Sequence, residues 1–479
     1  MTTSEPLAQR GLRIAVWLIS ALALTAHQPV THGAEKQRLN VLVIMADDLR
    51  NDLGCYGHHL VKSPNIDRLA ARGVRFDRAY CQYPVCNASR ASFLSGKRVS
   101  TTRIIDNATP PRTFLKDAIF LPQHFRQHGY RAIKLGKIFH TGSDFEDPAS
   151  WDLDERETRE AKNPPNEQIL SRGGAENEVI VLGVQDEETY DGKLARRAAA
   201  ALEKAQEAGH PFFMAVGFRR PHTPYIAPKR YFDMYPPERI RVESEPAEHL
   251  QKIPRAALTY NPTTDHAQPG PEDIAAYYAS VTFMDAQVGV VLEAVDRLHL
   301  WDATVVVFLS DHGYHLGEHG GLWHKMTLFE QSARVPLVVV APGRKAGAAS
   351  PRLVELVDLY PTLAELCGLP VPEDLEGTSL VPLLDEPERA WKKAAFTEVS
   401  RAFRRSLSEP LDLTRMGHSV RTERYRYTEW FDGSVELYDY EHDARELENL
   451  ADDPTQGDLR RELEQLLHAG WNAAVPARE

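Results

Sequence analysis

Cysteine is scarce in this sequence, which has 479 residues and four cysteines. Cys55, Cys81, Cys86 and Cys367 show no C-x-x-C spacing, which argues against a zinc-thiolate site, and they are too few for a disulfide scaffold. Cys367 lies in a helix-like segment, where we expect it to be buried in the core. Cys86 lies in "YPVCNASRASFLSG", four residues before Arg90. At this point it is open whether Cys86 is a core residue, half of a disulfide, a metal ligand or a nucleophile.

An excess of positive charge is also missing. The formal net charge is −12. Nucleic acid and anionic membranes are bound through a basic face, so this charge argues against either as the main partner. A small anionic substrate stays compatible with it, because a local cluster of cations can exist within an acidic surface.

The apolar run near the N-terminus is short. Ile14–Ala26 has thirteen residues, fewer than the roughly 20 that span a bilayer as a helix. Arg10 and Arg13 precede it, and a polar stretch with small residues follows. We expect residues 1–34 to be a secretory signal peptide, with an uncleaved anchor as the alternative. The protein would then be secreted or periplasmic and have no stable membrane anchor.

Strand and helix patterns alternate along most of the chain. Leu39–Ala46, Ala303–Ser310 and Val335–Pro342 are continuous apolar runs rich in β-branched residues, which is typical of strands buried on both faces. Helical patterns such as Glu272–Leu298 lie between them. The alternation predicts an α/β fold in which helices sandwich a large, mostly parallel sheet.

Three stretches depart from this alternation. Asp154–Glu178 is polar and predicts a surface insertion, and Arg239–Gly270 carries several prolines and predicts a long loop. After about Ala390, alternating aromatic and β-branched residues predict antiparallel strands, followed by a terminal helix. We therefore expect a large domain over residues 35–390 and a smaller C-terminal α+β subdomain, with a short antiparallel sheet, over residues 391–479.

Polar residues follow two of the predicted strands. Asp47 and Asp48 come after the first strand, and Asp311 and His312 come after the strand that ends at Ser310. The carboxyl ends of parallel strands meet at one edge of a sheet, so a divalent cation there would relieve the repulsion between the carboxylates. The alternatives are a helix N-cap with a solvated acid, and a glycine-rich surface loop. Oxygen ligands suit Mg²⁺ or Ca²⁺ and histidine suits Zn²⁺, so the residue types leave the metal open.

The loop after the second of these strands is dense in further polar residues, namely His315, Glu318, His319, His324 and Lys325. Lys137 and His140 follow a third strand, and His222 lies between prolines in "RRPHTPY". Each alone is more often a surface or core residue than a catalyst. Together with Arg90 and Lys325 they predict a cationic rim that would stabilise the charge of an oxyanion.

This context favours a chemical role for Cys86. A thiolate beside a metal and Arg90 would have a lowered pKa and be nucleophilic. The segment after it can form a short helix whose N-terminus favours an anion. A redox role is disfavoured because no resolving cysteine is adjacent. The residues alone predict metal-assisted transfer of a phosphoryl or sulfuryl group to a nucleophile at position 86.

Seven motifs resemble, in their order, those of the type I sulfatases within the alkaline phosphatase superfamily, and most closely those of the iduronate-2-sulfatase-like enzymes. They are "ADDLRNDLGCYG", "SPNIDRLA", "VCNASRASFLSG", "GKIFH", "RRPHTPY", "SDHGYHLGEHG" and "YRYTEW". The motifs extend over nearly the whole chain after the N-terminal segment, which makes the resemblance specific. It implies an alkaline phosphatase-like fold, a sulfuric ester hydrolase and a catalytic role for the domain of residues 35–390.

The resemblance also implies the nucleophile and the metal. A formylglycine-generating maturation enzyme would oxidise Cys86 to Cα-formylglycine, and a hydroxyl of its hydrate would attack sulfur. Sulfate would then leave as the aldehyde re-forms. One Ca²⁺ per active site is implied, with the ligands Asp47, Asp48, residue 86, Asp311 and His312.

Further roles follow from the same resemblance. Arg90 would steady residue 86, and His140 would be the base that drives the elimination of sulfate. Lys137 and Lys325 would contact sulfate oxygens. His222 would be the acid that protonates the leaving alcohol.

Two positions differ from the common family pattern. Ala88 stands where C-x-P-S-R has proline. Alanine is also seen among prokaryotic relatives, so the predicted modification of Cys86 is kept. His312 stands where many sulfatases have asparagine, and the iduronate-type enzymes have histidine there, which favours that subfamily.

The expected substrate is a sulfated carbohydrate, with a 2-O-sulfated iduronate or uronate as one candidate. The segments Asp154–Glu178 and Arg239–Gly270 can reshape the pocket for a different sulfated glycan. A phosphate or phosphonate monoester hydrolase of the same superfamily is the alternative enzyme. A non-catalytic glycan-binding protein is disfavoured because every candidate catalytic group is present.

Overall fold

The computed structural model describes residues 38–155, 168–172, 178–242, 244–246, 248–258, 270–402, 404 and 406–476, without the side chains of residues 155 and 168–172. The predicted signal peptide, residues 1–34, lies outside the described residues, as do parts of the predicted insertion and of the predicted long loop. The described residues belong to one compact unit.

The strands in the described ranges are, in chain order, β1 (Asn40–Asp47), β2 (Val74–Tyr80), β3 (Arg131–Gly136), β4 (Leu153–Glu155), β5 (Gln168–Arg172), β6 (Val179–Leu182), β7 (Phe212–Pro221), β8 (Tyr225–Pro228), β9 (Thr304–Ser310), β10 (His315–Leu316), β11 (Trp323–His324), β12 (Arg334–Val340), β13 (Ala348–Glu355), β14 (Ala395–Ser400), β15 (Met416–Arg421), β16 (Tyr425–Trp430) and β17 (Val435–Asp439).

The α-helices in the same ranges are α1 (Pro64–Ala70), α2 (Cys86–Ser95), α3 (Val99–Thr102), α4 (Leu121–Gln127), α5 (Tyr190–Ala208), α6 (Lys229–Phe232), α7 (His249–Lys252), α8 (Arg255–Leu258), α9 (Pro271–Arg297), α10 (Glu318–Gly321), α11 (Glu330–Ala333), α12 (Leu359–Leu366), α13 (Val381–Asp385) and α14 (Gly457–Ala469).

An eight-stranded sheet forms the centre of the fold, with the strand order β13-β2-β12-β9-β1-β7-β3-β4. All neighbouring pairs are parallel except those of β12, which runs antiparallel to β2 and β9. The register places Ala46 of β1 opposite Ser310 of β9 and Asp47 opposite Pro221 of β7. The carboxyl ends of these three strands therefore lie level at one edge of the sheet, as the sequence predicts.

Two hydrophobic cores cover the two faces of this sheet. Alternate residues of β1 belong to different cores, with Val41 and Val43 in one and Leu42 and Ile44 in the other. The first core includes apolar residues of α2, α4 and α12, and the second includes those of α1, α5 and α9. The continuous apolar run in β1 is thus explained by burial on both faces.

The longest helix is a core helix. Of the helices in the described residues, α9 alone is long and apolar enough to pass a length-and-composition test for a membrane span, and 89% of its most apolar window is buried inside the fold. A helix that is packed between other elements on all sides needs apolar residues around its whole circumference.

A four-stranded antiparallel sheet, in the order β14-β15-β16-β17, lies in the C-terminal part of the chain. It has a small core of its own, to which α14 contributes Leu463. Trp430 and Tyr438 belong to the core of the large sheet, so the two sheets share packing. The division of the chain at residue 390 stays a prediction.

The structure adds order to the two segments expected to be irregular. In the predicted insertion, β5 pairs with β6, which pairs in turn with β8. In the predicted long loop, α7 and α8 are short helices. A single turn of helix has too few residues to show a periodic apolar pattern, which is why the sequence did not reveal them.

Candidate active site

The carboxyl-terminal edge of the large sheet brings the predicted site residues together. Asp47 ends β1, Asp311 and His312 follow β9, and the segment after β3 supplies Lys137. Cys86 is the first residue of α2, which begins at the same edge. Except for Lys137, which is 6% exposed, each of these residues is at most 1% exposed. The site is therefore built of charged groups that have almost no contact with bulk water.

Asp48 bends the chain at the end of β1. Its φ is +66°, in the left-handed region that non-glycine residues seldom adopt. Its backbone N–H donates to Oδ1 of Asp311 at 3.3 Å, and its carbonyl accepts from the hydroxyl of Tyr277 at 2.9 Å. The next N–H, that of Leu49, donates to Oγ of Ser310 at 2.9 Å. These bonds hold the strained turn in which both adjacent carboxylates face the site.

Four side chains offer a metal-binding cluster. One ligand atom from each of Asp47, Cys86, Asp311 and His312 lies within 4.8 Å of the other three. Nε2 of His312 is 3.3 Å from Sγ of Cys86 and 3.4 Å from Oδ1 of Asp48. Nδ1 of His312 lies 2.9 Å from the carbonyl oxygen of Gly313, and a hydrogen bond there directs Nε2 into the cluster.

Asp48 has an open coordination position. Its Oδ2 is buried and has no hydrogen-bond partner among the described residues. A buried carboxylate oxygen without a partner is costly, and a bound cation relieves that cost. The oxygens of three carboxylates with one imidazole form a donor set that suits a hard divalent cation. The residues present therefore fit a metal such as Ca²⁺.

Arg90 is fixed from four directions. Its Nε donates to Oδ2 of Asp311 at 2.8 Å, and its Nη2 lies 3.3 Å from Oδ1 of Asp47. Its Nη1 donates to the carbonyl oxygens of Lys137 and Ile138 at 2.6 and 3.0 Å. Because all three nitrogen atoms of its guanidinium group bond to the protein, Arg90 holds the carboxylates of Asp47 and Asp311 in place on the inner side of the site.

Two lysines contact the acidic cluster from its open side. Nζ of Lys137 lies 2.5 Å from Oδ2 of Asp47, and Nζ of Lys325 lies 2.5 Å from Oδ1 of Asp48. Lys325 is also 3.7 Å from Sγ of Cys86. Unlike Arg90, each lysine has a single flexible ammonium, which can turn from a carboxylate to an anionic ligand.

Burial and these charges shift the pKa values of the cluster. Burial raises the pKa of Asp48 to about 7, although Lys325 opposes it. Burial works in the same direction on Asp47, but Lys137 and its neighbours outweigh it and hold the Asp47 pKa well below its ordinary value. Burial and Asp47 raise the pKa of the Cys86 thiol, but Lys137 and Lys325 leave it lower than usual. The site thus favours an anionic group at position 86.

Two histidines flank the cluster. Nδ1 of His222 lies 2.6 Å from the carbonyl oxygen of Thr223, which leaves Nε2 facing Oδ2 of Asp48 at 3.9 Å. The ring of His140 packs edge-on against Phe145, and its buried Nδ1 has no hydrogen-bond partner in the described chain. Burial and the nearby Lys137 lower the pKa of His140 to about 3. His140 is therefore uncharged at neutral pH.

Four polar residues of the loop after β9 lie outside this cluster. Glu318 pairs with Arg50 at 2.5 Å, Nε2 of His315 lies 2.7 Å from Oγ1 of Thr327, and Nδ1 of His324 lies 2.9 Å from the hydroxyl of Tyr314. The fourth, His319, contacts His249. Of the loop's candidates, the structure brings Asp311, His312 and Lys325 to the site.

Sequence reasoning missed the residues that support the site from behind. Oγ of Ser89 donates to the carbonyl oxygen of Asp311 at 2.5 Å, and the Asn87 amide donates to the carbonyl oxygens of Asp106 and Thr109 at 2.8 Å. Ser89 lies inside the C-x-A-S-R motif, so the motif could have pointed to it. Tyr277 lies in the middle of α9, and no local pattern distinguishes it from a core tyrosine.

Two protein-family models match this chain. A family model described as Sulfatase matches residues 39–369. A second model, described as N-sulphoglucosamine sulphohydrolase, C-terminal, matches residues 317–472. The first covers the large sheet and every candidate residue of the cluster.

Individual relatives match over most of the chain. Iduronate 2-sulfatase of Mus musculus is 33% identical over 93% of this chain and 97% of that protein, and the enzyme of Homo sapiens is 32% identical over 95% and 98%. Among solved structures, a phosphonate monoester hydrolase of Agrobacterium radiobacter superposes with a TM-score of 0.76 at 26% identity, covering 90% of this chain and 95% of that one. On the family match and the extent of these similarities, the chain belongs to the sulfatase family.

Proposed function

We propose that this sulfatase removes sulfate from a sulfated carbohydrate, with residue 86 as the nucleophile and a bound calcium ion. The convergence of Asp47, Asp48, Asp311 and His312 on Cys86 within one buried cluster is the observation that carries this proposal. The two flexible lysines on the open side of the cluster support it, because a sulfate ester is an oxyanion.

The metal would be held by the cluster residues named above. Asp47, Asp48, Asp311 and His312 are its proposed ligands, together with residue 86. A divalent cation bound there supplies Lewis-acid polarisation of the sulfate oxygens. Arg90 keeps two of these carboxylates in place through its bonds to Asp47 and Asp311.

Cys86 is proposed to be converted to formylglycine by a maturation enzyme. The hydrate of that aldehyde supplies a hydroxyl nucleophile, which is better suited to attack on sulfur than a buried thiol. Cys86 is the first residue of α2, and the N-terminus of a helix favours a negatively charged group. The conversion would take place before folding, because Cys86 is 1% exposed in the folded protein.

The remaining residues bind the substrate and move protons. Lys137 and Lys325 would leave their carboxylates to bind sulfate oxygens when the ester and the metal are present. Nε2 of His222, which faces the cluster, would carry the proton to the leaving alcohol oxygen. His140, at the edge of the cluster, would accept the proton released when sulfate is eliminated.

The substrate is proposed from the relatives. Similarity to two iduronate 2-sulfatases favours a 2-O-sulfated uronic acid, and other sulfated glycans are alternatives. The phosphonate monoester hydrolase is the observation that favours a second candidate function, the hydrolysis of phosphate or phosphonate monoesters. In either case a secreted or periplasmic location, after removal of residues 1–34, is part of the proposal.

A comparison of transferred groups tests the proposed function. Purified protein is assayed with an aryl sulfate, an aryl phosphate and an aryl phosphonate of the same phenol, so that only the transferred group differs. We expect kcat/KM to be highest for the sulfate, and faster cleavage of phosphate or phosphonate would contradict the proposal. A set of defined sulfated saccharides, including a 2-O-sulfated uronate disaccharide, then identifies the sugar.

The metal is tested in the same assay. A chelator with preference for calcium should abolish turnover, and added Ca²⁺ should restore it. If Zn²⁺ but not Ca²⁺ restored turnover, this would contradict the argument that the oxygen-rich donor set determines which metal binds.

A further inference from the structure

A second set of metal-binding side chains lies away from the active-site cluster. It consists of Glu245, His249 and His319, and we call it the histidine cluster. One donor atom from each residue lies within 4.8 Å of the other two. Nε2 of His249 is 3.1 Å from Nδ1 of His319 and 3.9 Å from Oε2 of Glu245. Two nitrogens and one carboxylate oxygen at these spacings surround a point at bonding distance for a small divalent ion.

Hydrogen bonds behind the ligands fix their orientation. Nδ1 of His249 lies 3.0 Å from the carbonyl oxygen of Leu447, so the ring proton belongs on Nδ1 and the Nε2 lone pair faces the cluster. Glu245 accepts the backbone N–H groups of His319 and Gly320, each at 2.8 Å. Backbone groups that hold imidazole and carboxylate in this way are the usual outer shell of a metal site.

The histidine cluster is buried but reachable. His249 is 2% exposed and His319 is fully buried, stacked on Phe329 with ring centroids 3.8 Å apart. Glu245 lines a cavity of about 620 Å³, which gives an ion a path from solvent. The two imidazoles contact each other, and Oε1 of Glu245 also lies 3.9 Å from Nη2 of Arg445.

The donor set differs from that of the active site. Two imidazoles and one carboxylate suit Zn²⁺ and similar transition metals, whereas an oxygen-rich set suits Ca²⁺. We propose that Glu245, His249 and His319 bind one zinc-class divalent ion, with water completing its coordination. This site is separate from the active-site metal and does not depend on the proposed function.

Binding there would join three parts of the chain. Glu245 and His249 belong to the segment between β8 and α9, and His319 lies in α10, between His312 and Lys325 of the active site. Leu447, behind His249, belongs to the C-terminal part. The ion would stabilise the packing of this segment against the loop that carries Lys325.

Metal content tests the proposal. Protein without a histidine tag is saturated with Ca²⁺, equilibrated with Zn²⁺, dialysed against zinc-free buffer and analysed for bound metal. We expect about one zinc per chain in the wild type and a loss of at least about tenfold in zinc affinity in His249→Ala and His319→Ala. His210→Ala removes an exposed histidine and should keep the wild-type zinc content. Equal zinc in His249→Ala and wild type, or no zinc in the wild type, would overturn the proposal.

A second measurement covers the case in which the histidine variants fail to fold. Co²⁺ replaces zinc in the wild type, and its visible d–d bands report a low-symmetry site with nitrogen ligands. Zn²⁺ should also raise the Tm of the wild type by mass action, and this rise should be smaller in Glu245→Gln, which keeps an oxygen acceptor but loses the charge. Absence of both the bands and the zinc-dependent rise in Tm in the wild type would contradict the site.

Discussion

Two buried clusters of opposite charges in this protein differ in how completely they are paired. The structural cluster consists of Glu355, Asp358, Arg98 and Lys392, and each of its four carboxylate oxygens has two partners at 2.6 to 3.0 Å. In the active-site cluster, Oδ2 of Asp48 has no hydrogen-bond partner among the described residues.

The difference shows that the same types of charged residue can stabilise the fold in one place and form a candidate binding site in another. Pairing of every carboxylate oxygen in the structural cluster fixes one geometry and joins β13 to β14, since Glu355 accepts the backbone N–H of Phe396. Incomplete pairing in the active-site cluster leaves Oδ2 of Asp48 for a metal, and lysines that can exchange partners. We therefore expect changes in the structural cluster to affect stability and changes in the active-site cluster to affect turnover.

Removal of the proposed nucleophile should have the largest effect. Cys86→Ala is expected to lower kcat/KM for an aryl sulfate by at least about 10⁴-fold, because no other group at the site can take the nucleophile's place. Its thermal unfolding should stay close to that of the wild type, since the side chain is small and its charge partners remain. Residual turnover within tenfold of the wild type would contradict the expectation that changes in the active-site cluster affect turnover.

Loss of one partner in the structural cluster should have the next largest effect. Lys392→Met leaves two buried carboxylates with a single cation, and we expect the free energy of unfolding to fall by about 3 to 5 kcal/mol. Denaturant unfolding measures this fall, with Lys393→Met as the control, because Lys393 is adjacent and exposed. If the folded Lys392→Met protein lost activity without losing stability, the assignment of the two clusters would be reversed.

The flexible lysines of the active-site cluster are expected to affect turnover more than stability. Lys325→Met should lower kcat/KM by about 10² to 10³-fold, because a cation aimed at the sulfate is lost. The calcium-loaded variant should unfold at nearly the wild-type temperature, since the metal neutralises Asp48. Lys345→Met, at an exposed lysine, is the control for charge removal. An unchanged kcat/KM in Lys325→Met would remove this lysine from substrate binding.

Acid should affect the region of the active site before the structural cluster. Burial lowers the pKa of His324 from 6.5 to about 3, so between these values the unfolded state binds more protons than the folded state. Stability should therefore fall as the pH falls from about 6.5, by at most about 1.4 kcal/mol per pH unit for this histidine. In the structural cluster, Arg98 and Lys392 outweigh burial and hold the pKa of Glu355 far below its ordinary value, whereas burial raises the pKa of Asp358.

Denaturant unfolding at several pH values measures this slope. His324→Gln, which keeps an acceptor for the Tyr314 hydroxyl, should flatten the dependence below pH 6.5. An identical slope in this variant would show that other groups cause the loss of stability.

The sequence predicted the fold, and it predicted that the candidate site residues lie together, because both depend on local signals. Buried parallel strands are continuous apolar runs, and the residues that follow them meet at one edge, which is how Asp47 and Asp311 could be placed together. The family resemblance added roles that spacing alone does not give.

What the sequence did not reveal depends on distant contacts. Tyr277 bonds to the backbone of Asp48 across 229 positions, and Lys392 reaches Glu355 from outside any predicted element. The histidine cluster joins His249 to His319 across 70 positions, between segments that show no shared pattern. The strand β14 has no turn signal of its own and is recognised only by its pairing with β15.

The mass of the peptide that contains residue 86, measured in fully active protein, tests the central claim most directly. The account predicts the mass of formylglycine at this position, with specific activity proportional to the converted fraction. Unmodified Cys86 in fully active protein would contradict the account.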